Sequence, residues 1–420
     1  MNKIVILSSL CFYLLTGVSV AQISDRPDNL TLSNFQFGPI NRWSYSHIRE
    51  VLPTVNIQHD NNRILKLEQS NNYVTDFSIT YEERNQSIDE IAKNWFIDGL
   101  LILKDGNVVF EKYYGHLTEE KPHLMNSISK SVVGLLAGKI ENDGVIDFSQ
   151  TISHYIPELT ESGWGPDSLQ TVLDMKDGSN YTEDYPDFTT TFRLQDCVIG
   201  WIEADYCPKN LAIGGYDFFP TIDRNESNVG KFNYRSGSTD VIGWVLEEAT
   251  GKSLATLISE NIWRPMGAEH DAYITVDKSG FALASRGMNS TLRDLSRMGL
   301  LVLNKGSAFG EQVIPAAYIE DMHAQSGDSN WPYETPENAK PFYRSFWWGK
   351  GNEERDLNGV GIHGQFLRIA PEAGIVIAMY SSWPLADGDN EHQYWDQSEN
   401  LLDALVAKFR YNSGSFKMVQ

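Results

Sequence analysis

The sequence predicts an α/β (α+β) protein whose antiparallel sheet is built from both ends of the chain and flanked by helices, with a mainly helical lobe inserted. Two hairpin patterns support this prediction, one near each end of the chain, at 99–114 and 364–381. Helical patterns and long polar loops fill the stretch between them, at about 145–285. We expect the cleft between the two lobes to hold the functional site.

The first residues have the features of a cleavable signal peptide. Lys3 precedes a short apolar core and a small-residue cleavage site that ends at Ala21. We therefore expect 1–21 to be removed and the protein to be exported, either to a periplasm or into the medium. The rest of the chain, 22–420, predicts a single domain in which 22–86 forms an N-terminal arm, mostly extended and packed on the body.

The chain is strongly acidic, with 56 Asp and Glu against 34 Lys and Arg and a net charge of −22. Removal of the signal segment takes away one lysine and no acid, so the charge becomes −23. This disfavours nucleic acids and anionic membranes as partners and suits a cationic or neutral substrate. No apolar stretch is long enough to span a bilayer, so we expect no membrane insertion. Cys197 and Cys207 are the cysteines of the mature chain, and a local disulfide and two free thiols both remain open.

The predicted N-terminal elements are a helix at 87–96, the first hairpin and a longer helix. In the hairpin, two apolar runs flank Asp105-Gly106, a dipeptide typical of tight turns. The longer helix begins at Ser127 and ends near Asn142-Asp143-Gly144, because its apolar residues recur at helical intervals.

The later elements also have clear start and stop signals in the sequence. Helices are predicted at 238–250, closed by a glycine, and at 290–304. The second hairpin turns at Pro371-Glu372-Ala373, and a last helix covers 399–409.

Ser127 and Lys130 are the first candidate functional pair. Their i, i+3 spacing places both side chains on one face of the first helical turn. A serine hydroxyl needs a nearby base to act as a nucleophile, and a lysine can serve if burial lowers its pKa. The free N–H groups at the helix start also favour a negative charge there. Spacing alone fits an ordinary solvated helix start as well.

Three further features strengthen this hypothesis. Tyr234 stands at the entrance of a helix, where a tyrosine near a lysine suits acid–base chemistry. Glycines at 359–364 punctuate a strand and would leave an N–H facing an oxyanion. The loop around Asp184 and Tyr185 would cover the site. Each feature taken singly also fits a structural role: a core tyrosine, a bulged strand and a solvated loop.

Together these features match a known family over nearly the whole mature chain. The chain resembles the serine hydrolases of the penicillin-binding protein and class C β-lactamase superfamily, and within it the 6-aminohexanoate-dimer hydrolase (nylon-oligomer hydrolase) group. The resemblance implies a β-lactamase-like fold. The stretches that carry it are Asn41-Arg42-Trp43, Pro53-Thr54, Leu124-Met125-Asn126-Ser127-Ile128-Ser129-Lys130-Ser131, Ile156-Pro157-Glu158-Leu159, Leu173-Asp174-Met175, Glu183-Asp184-Tyr185, Tyr234-Arg235-Ser236, Leu292-Arg293-Asp294-Leu295 and Gly361-Ile362-His363-Gly364-Gln365.

The resemblance also implies catalytic roles. Ser127 matches the nucleophile, Lys130 its base, and Tyr234 the tyrosine that passes a proton to the leaving group. The backbone N–H groups of Ser127 and Ile362 would form the oxyanion hole. Tyr185 resembles the loop tyrosine that closes on the substrate amide in nylon-oligomer hydrolases.

The other implied substrate-binding residues are Asp184, Ser236, His363 and Gln365. Ser236 stands where many relatives carry asparagine, which would alter how the substrate lies. No metal or organic cofactor is implied. The expected partner is a small-molecule amide or ester substrate, and a homodimer remains open.

One departure from the pattern bears on the substrate. β-Lactamases carry a Lys-Thr-Gly motif where this chain has Gly359-Val360-Gly361, so the cation that would bind a penicillin carboxylate is missing. A dedicated β-lactamase is therefore disfavoured. A carboxylesterase, a D-peptidase and a non-catalytic penicillin-binding-like protein remain as alternatives.

Overall fold

The computed structural model describes residues 25–81, 83–323, 340–352, 355–387 and 394–410, so the predicted signal peptide lies outside it. The helices are α1 (Asn41–Ser44), α2 (Ile88–Asn94), α3 (Ile128–Asn142), α4 (Ile152–Tyr155), α5 (Leu169–Leu173), α6 (Thr191–Val198), α7 (Gly215–Phe218), α8 (Ser236–Thr250), α9 (Leu254–Ile258), α10 (Leu292–Leu303), α11 (Ala316–Asp321) and α12 (Tyr394–Arg410). In these described residues, we find no helix with the length and apolar character needed to cross a membrane.

The strands are β1 (Thr54–Ile57), β2 (Ser78–Tyr81), β3 (Arg84–Ser87), β4 (Ile97–Lys104), β5 (Asn107–Tyr113), β6 (His123–Leu124), β7 (Ala272–Thr275), β8 (Met288–Ser290), β9 (Ser307–Ala308), β10 (Glu311–Gln312), β11 (Phe342–Arg344), β12 (Trp347–Gly349), β13 (Leu357–Gly361), β14 (Gln365–Ala370) and β15 (Ile375–Ser381).

The main sheet joins the two ends of the chain. Its strand order is β11-β12-β13-β14-β15-β4-β5, and every neighbouring pair is antiparallel. The late strand β15 pairs with the early strand β4, with Val376 opposite Leu103. The prediction of an antiparallel sheet built from both termini and flanked by helices is confirmed.

Helices cover both faces of this sheet, which explains the unbroken apolar run in β4. Leu100 and Ile102 belong to a core cluster that includes residues of α2 and α12. Leu101 and Leu103, which point to the opposite face, belong to the cluster that contains α3 and α10. A strand that is buried on both sides needs apolar residues at every position, not at alternate ones.

Local sequence signals explain where several helices begin and end. A capping box starts α2, because the Ser87 hydroxyl accepts from the Glu90 N–H while the Glu90 carboxylate accepts from the Ser87 N–H. Gly251, with φ of 66°, ends α8 in the left-handed conformation that glycine adopts readily. Close packing of α3 depends on Gly134, where an added Cβ would lie 2.2 Å from the Ser345 carbonyl oxygen.

The segment predicted to be an extended arm contains regular structure. Strand β1 pairs with β7 in a second sheet of order β1-β7-β8-β6, and β2 pairs with β3 as a hairpin. The region predicted to be a helical lobe therefore contributes a strand, β7, to a sheet with the arm. These strands have two to four residues, too few for an alternating pattern to identify them.

Cys197 and Cys207 form a disulfide, so the alternative of two free thiols is not realised. The bridge closes a short loop that contains the buried Trp201, whose ring packs against Phe35 and lies near the Arg286 guanidinium. The cross-link therefore restrains the segment that covers this buried arginine.

We expect the Cys197→Ser/Cys207→Ser double variant to lose about 2–3 kcal/mol in free energy of unfolding, because the unfolded chain gains the loop's freedom. Urea denaturation with and without a thiol reductant measures this loss. The reductant should destabilise the wild type and leave the double variant unchanged. Equal stability of the two oxidised proteins would contradict the expectation.

Candidate active site

Ser127 and Lys130 meet at the start of α3. Ser127 occupies the N-cap position and is 6% exposed, while Lys130 is 1% exposed in the first turn. Lys130 Nζ lies 2.8 Å from Ser127 Oγ. The structure thus brings the predicted nucleophile and base into hydrogen-bond distance, which is the geometry that serine activation requires.

Burial sets the charge state of this lysine. Removal from water lowers the pKa of Lys130 to about 7, and the positive charge of Arg286 acts in the same direction. The carboxylates of Glu183 and Asp240 act in the opposite direction and raise the Lys130 pKa. Near neutral pH a large share of the molecules therefore carries a neutral amine, the form able to accept a proton.

The neighbours of Lys130 determine where its lone pair points. Its Nζ lies 2.9 Å from the Ser285 carbonyl oxygen and 3.0 Å from Ser236 Oγ. The carbonyl can only accept, and Ser236 donates its one hydroxyl proton to Glu183 Oε1 at 2.9 Å. Both N–H bonds of a neutral amine are then used, and its lone pair is left for the Ser127 hydroxyl.

Glu183 is a residue of the site to which the sequence analysis gave no role, although it stands in the Glu183-Asp184-Tyr185 stretch. Its carboxylate accepts from the Ser236 N–H at 2.6 Å, at the first residue of α8, where the helix dipole favours a negative charge. It also accepts from the Tyr185 hydroxyl at 3.0 Å. Glu183 and Ser236 are 53 positions apart, so no local spacing could have indicated this contact.

Asp240 is the second missed residue. It is fully buried in α8, and its Oδ1 accepts from the Ser285 N–H at 2.8 Å while its Oδ2 accepts from the Gln195 amide at 2.7 Å. Burial raises the pKa of Asp240. By holding the Ser285 backbone, this carboxyl group fixes the carbonyl that faces Lys130.

Tyr234 lies on the other side of the lysine. Its ring centroid is 5.0 Å from Lys130 Nζ, and the ring stacks on Trp348 with centroids 5.3 Å apart. Tyr234 and Trp348 are both partly exposed. The structure therefore places Tyr234 beside the predicted base, and its role in proton transfer stays a prediction.

The predicted oxyanion hole lies between α3 and the turn after β13. A Cβ built on Gly361 would lie 3.0 Å from the Ser127 nitrogen, so the strand passes directly beside that N–H. Among the residues that the structure describes, we find no acceptor for the N–H of Ser127 or of Ile362. Both donors are thus available to a substrate oxygen.

The remaining predicted residues have different surroundings. His363 is buried, its Nδ1 lies 2.7 Å from the Trp383 carbonyl oxygen, and burial lowers its pKa to about 4. Gln365 is also buried and donates to the carbonyl groups of His363 and Ser381. Both side chains hydrogen-bond to backbone carbonyl groups and so stabilise the turn between β13 and β14. Asp184 is exposed in the loop before Tyr185, and substrate contact by these residues stays a prediction.

No group of three or more His, Cys, Asp or Glu side chains that could hold a metal ion occurs in the described ranges.

Known proteins resemble this chain over most of its length. The family model described as Beta-lactamase matches residues 97–399. The 6-aminohexanoate-dimer hydrolase of Paenarthrobacter ureafaciens is 33% identical over 384 residues, covering 89% of this chain and 93% of that protein. A Bacillus anthracis structure provisionally assigned as a 6-aminohexanoate-dimer hydrolase has a TM-score of 0.80 at 27% identity, covering 90% of this chain and 97% of that one.

A second structure shares the fold at lower similarity. EstCE1, a hydrolase with promiscuous acyltransferase activity, has a TM-score of 0.59 at 15% identity, covering 76% of this chain and 96% of that chain. The chain belongs to the Beta-lactamase family. It is a serine hydrolase of that family that resembles 6-aminohexanoate-dimer hydrolase.

The charges around Lys130 make a testable prediction about pH. We expect kcat/KM to rise with pH around a midpoint of about 7, because only the neutral amine accepts the serine proton. Glu183→Gln removes a negative charge that favours the ammonium form, so the midpoint should move to lower pH. Asp184→Asn is the matched control and should leave the midpoint in place. A midpoint that moves to higher pH in Glu183→Gln would contradict this assignment.

Proposed function

We propose that the protein hydrolyses linear amide bonds through an acyl-enzyme on Ser127. The observation that carries this proposal is the 2.8 Å contact between Ser127 Oγ and a buried lysine whose pKa is about 7. A lysine with an ordinary pKa would be charged and unable to accept a proton at neutral pH.

In acylation, Ser127 Oγ attacks the substrate carbonyl carbon while Lys130 Nζ takes the hydroxyl proton. The carbonyl oxygen becomes an oxyanion, which the N–H groups of Ser127 and Ile362 stabilise. The bond between carbon and the leaving nitrogen then breaks. An amine leaves only after it gains a proton, and the Lys130 ammonium supplies this proton through the neighbouring Tyr234 hydroxyl.

Deacylation uses the same groups in the reverse order. Once the amine has left, Lys130 is neutral again and takes a proton from a water molecule that attacks the ester carbonyl. The second oxyanion forms in the same hole, and its collapse returns the proton to Ser127 Oγ. No redox change occurs in either half, and the products are a carboxylic acid and an amine.

The substrate class follows from the relatives and from one feature of β13. The P. ureafaciens relative acts, by its name, on the 6-aminohexanoate dimer, a linear amide. At Gly359, where β-lactamases carry a lysine, an added Cβ would lie 3.1 Å from Ser131 Oγ and 3.2 Å from Ile128 Cγ2. With little room for a side chain there, we propose linear amides and not penicillins as substrates.

A substrate panel tests this proposal. Purified enzyme is incubated with the 6-aminohexanoate dimer, a D-amino acid amide, p-nitrophenyl esters of increasing acyl length and a chromogenic cephalosporin. We expect kcat/KM for the linear amide to exceed that for the cephalosporin. Turnover of esters alone would instead support the carboxylesterase alternative, and turnover of the D-amide alone the D-peptidase alternative. Folded enzyme that turns over nothing in the panel would favour the non-catalytic alternative.

We also propose that the protein is exported. This proposal rests on the signal-peptide pattern at 1–21 and is consistent with the disulfide between Cys197 and Cys207. The mass of the protein recovered from the periplasmic or secreted fraction should correspond to a chain that begins at Gln22. A full-length chain found only inside the cell would contradict export.

A further inference from the structure

The Asn126 side chain links the two halves of the predicted oxyanion hole. Asn126 immediately precedes the nucleophile and is fully buried. Its Nδ2 donates to the Ile362 carbonyl oxygen at 3.0 Å, so it bridges the start of α3 and the turn after β13. The two predicted oxyanion donors are the N–H groups of Ser127 and Ile362. Asn126 precedes Ser127 in the chain, and its side chain donates to the carbonyl oxygen of Ile362.

We propose that Asn126 is a positioning residue that sets the distance between the two oxyanion donors. The proposal rests on the proposed function, because it concerns the same acyl-enzyme chemistry. Asn126 itself does not need to touch the substrate. It acts by fixing residue Ile362 relative to the nucleophile, and a misplacement of about 1 Å in such a site can cost a hundredfold in rate.

The backbone of Asn126 favours this residue type. Its φ is +46°, in the left-handed region that asparagine and glycine adopt more readily than other residues. Its carbonyl oxygen accepts from the N–H of Ser129 at 3.0 Å and from the Ser129 hydroxyl at 2.7 Å. The Ser129 hydroxyl in turn accepts from the Met288 N–H at 3.1 Å, so the position of Asn126 is well fixed.

The turn on the other side has a separate anchor. Gln365 Nε2 lies within hydrogen-bond distance of the carbonyl oxygens of Ile362, His363 and Ser381, at 3.3, 3.0 and 2.7 Å, which ties the turn to the main sheet. Asn126 makes the connection from this turn to α3. Loss of the Asn126 bond should therefore leave the turn folded on the sheet and free to move relative to Ser127.

The Asn126 side chain also allows a direct test, because its Oδ1 has no hydrogen-bond partner in the part of the chain that is described. The titratable group beside this side chain is the buried Tyr45 hydroxyl, and burial raises the pKa of Tyr45, so it stays neutral across the pH range of the test. In Asn126→Asp, an ionised carboxylate would face the Ile362 carbonyl oxygen and repel it. A protonated carboxyl group could donate an O–H to that same oxygen and restore the link. The backbone conformation remains accessible to aspartate.

The experiment measures the pre-steady-state burst of p-nitrophenolate from an ester, for the wild type, Asn126→Asp and Asn126→Gly. At neutral pH we expect both variants to acylate about 10- to 100-fold more slowly than the wild type. We expect KM to stay within about twofold, since the lost interaction belongs to the transition state. The rate ratio of Asn126→Asp to wild type should rise as pH falls, and that of Asn126→Gly should not.

Asn261→Asp is the matched control, because the Asn261 amide also donates to a backbone carbonyl, that of Leu257, at 2.9 Å. It should acylate at the wild-type rate at every pH. Wild-type burst rates in both Asn126 variants, or a loss confined to KM, would overturn the proposal while the wild-type burst still supports the proposed function. A ratio for Asn126→Asp that is independent of pH would also overturn it. Absence of any burst in the wild type would instead count against the acyl-enzyme itself.

Discussion

Lys130→Met is expected to lower kcat/KM by about a hundredfold to ten-thousandfold, the usual contribution of a general base. Methionine is similar in length and apolar, so it fills the buried site without a basic nitrogen. Among the residues that the structure describes, Lys130 is the one basic side chain within hydrogen-bond distance of Ser127 Oγ, so the variant leaves the serine without a described group to take its proton. Steady-state kinetics on the best substrate of the panel measures the loss.

Lys139→Met is the control for this variant, because Lys139 lies on the same helix and pairs with Asp143 at its end. It should retain wild-type activity. Lys130→Met with activity near that of the wild type would contradict the assignment of Lys130 as the base.

Stability gives a second readout of the same substitution. The folded pKa of Lys130 is about 7 and its ordinary value is 10.5, so between these values the unfolded chain binds a proton that the folded chain does not. The wild-type free energy of unfolding should therefore rise with pH across this window, by at most about 1.4 kcal/mol per pH unit from this group. The destabilisation that results from burying Lys130 should be greatest below pH 7. Lys130→Met should lack this component of the pH dependence.

Gly361→Ala is expected to lower kcat by about a hundredfold to a thousandfold, as does the loss of an oxyanion-hole donor. The new Cβ would lie 2.7 Å from the Met125 carbonyl oxygen and 3.0 Å from both the Ser127 nitrogen and Gln365 Cβ. Either the methyl group occupies the space beside the Ser127 N–H or β13 moves away from it. Both outcomes remove the geometry that stabilises the oxyanion.

Gly359→Ala is the matched control, since Gly359 lies two residues earlier on the same face of β13, where an added Cβ would lie near Ser131 Oγ and Ile128 Cγ2 instead. It should cost stability and little activity. The two variants are compared by kcat and by thermal denaturation. Equal kcat values for them would show that Gly361 has no special relation to the nucleophile.

Much of the fold follows from short-range patterns. The hairpin around Asp105-Gly106, the helix predicted from Ser127, which the structure begins at Ile128 with Ser127 as its N-cap, and the hairpin around 371–373 are confirmed. Turn chemistry and helical periodicity are local signals. The small second sheet was missed, since its strands are short and two of its three pairings join distant parts of the chain, as when Thr54 pairs with Thr275 and His123 with Ser290.

The residues of the candidate site also fall into those with a local sequence signal and those without one. The Ser127–Lys130 pair was predictable because both residues lie in one helical turn. Glu183, Asp240 and Asn126 act through partners far away in sequence, and single acidic or amide residues in loops and helices carry no spacing signal. His363 and Gln365 stand in a motif of the site, yet their side chains are buried beneath the turn, a placement that only the three-dimensional packing reveals.

The most direct test of the central claim is the intact mass of the protein after reaction with a fluorophosphonate. Wild type, Ser127→Ala and Ser131→Ala are compared, because Ser131 is a buried serine of the same helix that donates to the Phe346 carbonyl oxygen. We predict a single adduct on the wild type and on Ser131→Ala, and none on Ser127→Ala. Folded wild type without an adduct, or an adduct that persists in Ser127→Ala, would contradict the assignment of Ser127 as the nucleophile.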